Sequence, residues 1–277
     1  MPFTGSHPAA VLPLLRTGLP ASGLVIGSMA PDVPYFVPVT VGGYSLPTDL
    51  GTTTHAAWAV VSLDVLIGAL VWLLWHTLLA APGYALAPES FRARLVTAGV
   101  RPGAVDRIGS PGRVAALLAG LAVGAATHVG WDEFTHPGRW GDRHVGLLAG
   151  SWHGVEGHRW AQYASGVFGA AVLLTWLWRW WRRTEPAASS QQAPSFGGAD
   201  AVGPRWRPGT GWVASIVVGS GAVTGFWAAF TAADLRAGLF FGATRGGAGA
   251  MIAALLLALG WHGTGRRRLG GRTDTPE

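Results

Sequence analysis

Long apolar runs recur along this 277-residue chain, separated by short Arg-bearing connections, and they restrict it to a fold that a bilayer can surround. Runs at about 56–80, 113–131, 160–181, 211–233 and 248–263 each approach the roughly 20 residues needed to cross the hydrocarbon core, the last being the shortest. Only 12% of the residues are charged against 49% hydrophobic, whereas a soluble domain carries about a quarter of its residues as charges. The expected fold is therefore all-α, a polytopic transmembrane helical bundle of about five spans. Residues 19–41 are apolar too, but Pro20, Pro31, Pro34, Pro38 and Asp32 break them into short helices or a re-entrant segment.

The net charge of +6 comes from Arg alone, since Lys is absent. These residues are scattered among the connections, which fits topology signals and not a nucleic-acid footprint. Arg92, Arg94, Arg101, Arg107 and Arg113 crowd the 81–113 connection, and Arg179, Arg182, Arg183, Arg205 and Arg207 flank 182–210. The connections 132–159 and 234–247 are poorer in Arg. The expectation is an inner-membrane protein of a bacterium with its C-terminal tail in the cytoplasm and residues 132–159 on the outer side. The opening residues lack the pattern of a cleaved signal peptide. Three parts are expected: a membrane domain over 1–181, a Pro/Ser/Gly-rich disordered cytoplasmic linker over 182–210, and two further spans with a basic tail over 211–277. Trp58, Trp131, Trp160, Trp180, Trp181, Trp212 and Trp261 near run ends read as an aromatic belt. No internal repeat of a transporter type is visible.

The chemistry concentrates at run ends. In ATHVGWDEFTH, His128, Asp132 and His136 stand four residues apart, each turned only about 40° from the last, so one helix face presents three metal-ligand types. His7, Asp32 and His55 lie at the same expected depth. Six such side chains at one depth are costly to bury without a partner. Cysteine is absent, which excludes thiolate sites and a Cys nucleophile. A mixed imidazole and carboxylate set suits zinc, with manganese or iron as alternatives. Asp132 is a candidate catalytic carboxylate and Glu133 a candidate base, although its helical position points elsewhere. Asp64, roughly 13 Å along a helix from His55, is expected near mid-membrane as a hydrogen-bonded acid or part of a proton path. His76 and His262 read as interfacial, and His144, His153 and His158 as solvated loop residues.

The segments MPFTGSHPAAVLPLL, VIGSMAPDVPYF, TTTH, THVGWDEFTHPGRW and WAQYASGVFG resemble an uncharacterised family of bacterial integral membrane proteins, a domain of unknown function, over most of residues 1–180. The order His, Pro-Asp, His, His-xxx-Asp is more distantly similar to membrane-bound metal-dependent hydrolases and to zinc-dependent phospholipase C and related nucleases. That similarity implies ligand roles for His7, Asp32, His55, His128 and Asp132. The function expected is metal-dependent hydrolysis of a phosphoester or lipid-linked substrate at the outer face. A proton- or ion-conducting protein and a structural membrane protein are the competing expectations.

Overall fold

A computed structural model describes residues 4–100, 107–187 and 211–270, with side chains over 212–263 in the last stretch. It is all-α apart from two short hairpins, β1–β2 (Thr40–Val41 with Tyr44–Ser45) and β3–β4 (Ser151–Trp152 with Val155–Glu156). The main helices are α1 (Ala21–Gly27), α2 (Leu63–Leu74), α3 (Glu89–Thr97), α4 (Pro111–Thr135), α5 (Gly157–Arg183), α6 (Gly211–Phe230) and α7 (Leu235–Gly270). Among the described residues, Ala59–Leu86, Pro111–His144, Trp212–Phe230 and Leu235–Gly263 are long and apolar enough to cross a membrane. The protein is a membrane protein on that basis. Helix α5 has the length, but Gln162, Tyr163 and its Trp residues leave it less apolar than those four.

The described chain divides into two compact units. One comprises Met1–Trp72 and Arg107–Trp180, the other Leu73–Asp106 and Trp181–Glu277. Residues 73–100, expected with the site-bearing domain, thus group with the C-terminal helices. Of the expected 182–210 linker, Arg182 and Arg183 still belong to α5, while residues 188–210 lie outside the described residues.

In the first unit the prolines break residues 19–41 as expected, leaving α1 and a 3-10 segment Ala30–Phe36. Helix α1 crosses α4 through facing small residues, Gly23 and Gly27 against Gly120 and Gly124. A Cβ on Gly27 would strike the Leu121 backbone, and one on Gly124 the backbones of Leu24 and Ser28. Such close approach is how membrane helices gain packing where lipid removes the hydrophobic drive. Helix α2 joins at Gly68, against Leu121, and its Trp72 indole donates to the Ser22 hydroxyl at 2.9 Å. Helix α5 brings Gly169 against Ser6.

In the second unit, α6 and α7 form a hairpin whose contact runs through Gly221, Gly225, Gly242 and Gly246. Pro82 cannot donate to the Leu78 carbonyl four residues back; that carbonyl instead accepts from His262 Nε2 at 3.0 Å. His76 is buried within the protein.

Candidate metal centre

The α1–α4 crossing fixes the site. Four residues beyond Gly124, the His128 ring lies directly over the end of α1, and its Nδ1 donates to the Ser28 carbonyl at 2.8 Å. A carbonyl only accepts, so Nδ1 carries a proton and Nε2 is the nitrogen turned toward the cluster. The next segment, bent by Pro31 and Pro34, delivers Asp32, which is 1% exposed. Thr4 donates to Asp32 Oδ2 at 2.6 Å, leaving Oδ1 for the interior. Thr54 ties the TTTH segment to the same bend, donating to the Pro31 carbonyl at 2.7 Å and the Gly51 carbonyl at 2.9 Å. His55 Nδ1 donates to the Gly51 carbonyl at 2.7 Å. Gly51 has no room for a side chain, since a Cβ would sit 2.7 Å from the Tyr35 ring.

Two imidazole nitrogens then face two carboxylate oxygens. His55 Nε2 lies 3.4 Å from Asp32 Oδ1 and 3.4 Å from Asp132 Oδ2, and His128 Nε2 lies 3.6 Å from each. Ligands held at about 2.1 Å in a tetrahedral set stand about 3.4 Å apart. The two imidazoles are edge to face, 5.2 Å between centroids. Both have their Nδ1 protons fixed by backbone carbonyls, the arrangement that orients metal-ligating imidazoles. Asp32, His55 and His128 form one group able to hold an ion, and His7, His128 and Asp132 another.

The charges are strongly coupled. Burial disfavours the His55 imidazolium, but Asp132 and Asp32 outweigh it and lift its pKa to about 10. Burial likewise opposes ionisation of Asp32, yet His128, His55 and the Thr4 hydroxyl hold its carboxyl below the usual range. His7 moves the other way, down to about 4, through burial and the neighbouring His128. Tyr35, 5.8 Å from His55 between ring centroids, is pushed up to about 12 by burial and the two carboxylates and stays a phenol.

The remaining expected residues are placed as follows. His7 stacks on His128, with centroids 3.7 Å apart. His136 is not on the helical face: α4 ends at Thr135, because the residue before Pro137 is disfavoured in the helical region, and His136 is extended at φ −124°. Its Nδ1 still reaches 3.4 Å from Asp132 Oδ2, its Nε2 lies 3.3 Å from the Gln162 amide nitrogen, and its side chain is 24% exposed, at the rim. Both Glu133 oxygens are engaged away from the cluster, by Arg139 Nη1 at 3.0 Å and the Trp140 amide at 3.0 Å. Arg139 Nη1 also donates to the His55 carbonyl at 2.9 Å, so Glu133 braces the site from outside. Asp64 lies in the first turn of α2 and not at mid-span, because residues 55–62 are turns and a 3-10 turn; it is fully buried, and both its oxygens lack a hydrogen-bond partner among the described residues. His158 is buried against Asp142 at 3.2 Å and not solvated, whereas His144 is exposed. Sequence reasoning missed Ser28, Gly51, Thr4, Tyr35, Arg139 and Gln162. Thr4 stands within the opening motif, but a backbone carbonyl leaves no trace in residue identity.

This geometry belongs to a protein whose sequence matches, over residues 1–257, the family described as Domain of unknown function (DUF4184). The chain belongs to that family. No curated protein matches it, and no solved structure does. Within DUF4184, then, the residues themselves have to carry the functional argument.

Proposed function

We propose that this DUF4184 member is a metal-dependent hydrolase of a bacterial inner membrane, acting at the outer face on a phosphoester in a lipid or envelope precursor, with its C-terminal tail in the cytoplasm. One observation carries the reading: His55 Nε2 and His128 Nε2 each lie at ligand-like separations from Asp32 Oδ1 and Asp132 Oδ2 in a buried cluster, with both Nδ1 atoms held by backbone carbonyls so that Nε2 is left to face an ion. A divalent ion there, zinc by the donor set with manganese or iron as alternatives, supplies Lewis acidity and a lowered pKa for water. The chain's residues do the rest. His55, His128, Asp32 and Asp132 would supply the ligands, and the half-open His136 is placed to pass a proton between the cluster and solvent. Trp58, Trp131, Trp140, Trp152 and Trp160 are exposed on the same unit, as suits an enzyme working where headgroups lie.

The test is elemental mass spectrometry of the protein purified in mild detergent, beside His128→Ala and Asp132→Ala variants that still fold. The expected result is near-stoichiometric metal in wild type, lost in both variants, followed by turnover in a phosphoester panel. Wild-type protein that stays metal-free after exposure to zinc, manganese and iron would overturn the reading. The ion-conducting alternative, for which the buried Asp64 carboxyl speaks, would then be tested by flux assays.

A further inference from the structure

The parallel stack of His7 on His128 limits what His7 does. The rings are inclined by only 17° at 3.7 Å between centroids. An imidazole lone pair lies in its ring plane, so two nearly parallel stacked rings aim their Nε2 lone pairs side by side and not at one point. Two imidazoles meeting at one ion with bonds of about 2.1 Å and angles of about 90–110° hold their centroids about 4.5–5.2 Å apart. His55 and His128 meet that condition at 5.2 Å; His7 and His128 do not. The two histidines are thus alternative ligands for any single ion. His128 is the one with its Nδ1 fixed, complete burial and a carboxylate on either side.

His7 nevertheless borders the cluster. Its Nε2 is buried without a hydrogen-bond partner among the described residues, and its ligand atom lies within 4.8 Å of those of His128 and Asp132. A buried imidazole nitrogen left unpaired is costly, and it finds compensation in whatever enters the pocket. A phosphoryl group offers several oxygens on one centre, so one can face the ion while another accepts from His7; a single carbonyl oxygen would have to serve both.

Resting on the metal-centre reading, we propose that His7 is not a metal ligand but the oxyanion-binding residue of this site, donating from Nε2 to a non-bridging oxygen of a phosphoryl group whose other oxygen faces the ion. Its partner is the phosphate portion of the substrate, whatever alcohol that carries.

The experiment loads the detergent-purified protein with cobalt(II), measures cobalt per chain, and titrates inorganic phosphate against the visible cobalt spectrum. Wild type is expected to hold one cobalt and to show a saturable phosphate-dependent shift. His7→Phe keeps the stacked ring without the nitrogen, and His7→Gln keeps a donor without the ring. Both should retain one cobalt, with phosphate binding weakened at least about tenfold in His7→Phe and largely restored in His7→Gln. Loss of cobalt from either variant, or two ions per wild-type chain falling to one, would make His7 a ligand and overturn the proposal. An unchanged phosphate affinity in His7→Phe, or no phosphate shift in wild type, would overturn it equally. Wild type that binds no cobalt would sink the metal-centre reading itself, a result distinct from all of these.

Discussion

His55 is the residue at which the ion-free cluster is most exposed to pH. Its pKa in the folded protein, about 10, stands above the unfolded value of about 6.5, so its contribution to stability is whole below pH 6.5 and is lost as pH climbs toward 10. Asp32, held below its ordinary range, contributes fully above about pH 4 and loses its share on acidification. His7, held down at about 4, withdraws stability as pH falls below 6.5, so in chelator the thermal midpoint should be highest near pH 6.5 and decline on both sides. With a divalent ion present the alkaline decline should vanish, because the ion replaces the proton that the two carboxylates need; an equal decline with and without ion would refute this. Asp64 gives a second expectation. Its buried carboxyl has no hydrogen-bond partner among the described residues, so Asp64→Leu should raise stability by about 1–3 kcal/mol in chelator, and thermal unfolding would register the change. At this scale the sequence was informative: spacing alone singled out His128 and Asp132, and the short motifs supplied His7, Asp32 and His55. The carbonyls of Ser28 and Gly51, which decide the tautomers, could not be read, because every residue carries one.

The crossing of α1 and α4 is what turns those residues into a site. Gly124 sits one helical turn before His128, at the point where the two backbones touch. Gly124→Ala must push α1 away, and with it Ser28 and Asp32, so it should cost at least about 1–3 kcal/mol and lower metal occupancy although no ligand is changed. Gly130, on the same helix, has open space where a Cβ would stand. Gly130→Ala should leave metal content untouched and stabilise α4 by up to about 1 kcal/mol. Measuring metal per chain and thermal midpoint in both variants separates the crossing from helix propensity; equal behaviour would refute the assignment. The apolar runs located α4 closely and α2 less so, since α2 begins only at Leu63. The end of α4 was misplaced by the pattern at 128, 132 and 136, because Pro137 ends the helix before His136 while side-chain reach still keeps His136 at the rim. The opposite error befell Asp64, where an apolar run concealed a chain that turns before it winds into a helix.

Across the whole molecule, the chain's contacts do not follow its linear order. Residues 73–100 pack within the unit that holds the C-terminal helices, through Arg94 stacked on Trp181 at 4.0 Å and His262 on the Leu78 carbonyl. Hydropathy cannot foresee such a grouping, since it registers where apolar runs lie and not which of them meet. What hydropathy and Arg counts do foresee is sidedness, and the absence of Cys makes that directly measurable. Leu147, 64% exposed in the Arg-poor 132–159 connection, and Val100, 41% exposed in the Arg-rich 81–113 connection, are surface positions where a thiol disturbs no packing. If Arg-rich connections face the cytoplasm, Leu147→Cys should react with a membrane-impermeant maleimide in spheroplasts, where only the outer face of the inner membrane is exposed to the reagent. Val100→Cys should react only after that membrane is permeabilised. The reverse pattern would put the His/Asp cluster at the cytoplasmic face and replace an envelope substrate with a cytoplasmic one, while leaving the metal chemistry intact. Sidedness and chemistry are therefore separable properties of this fold, and the labelling result decides which pool of phosphoesters belongs in the substrate panel.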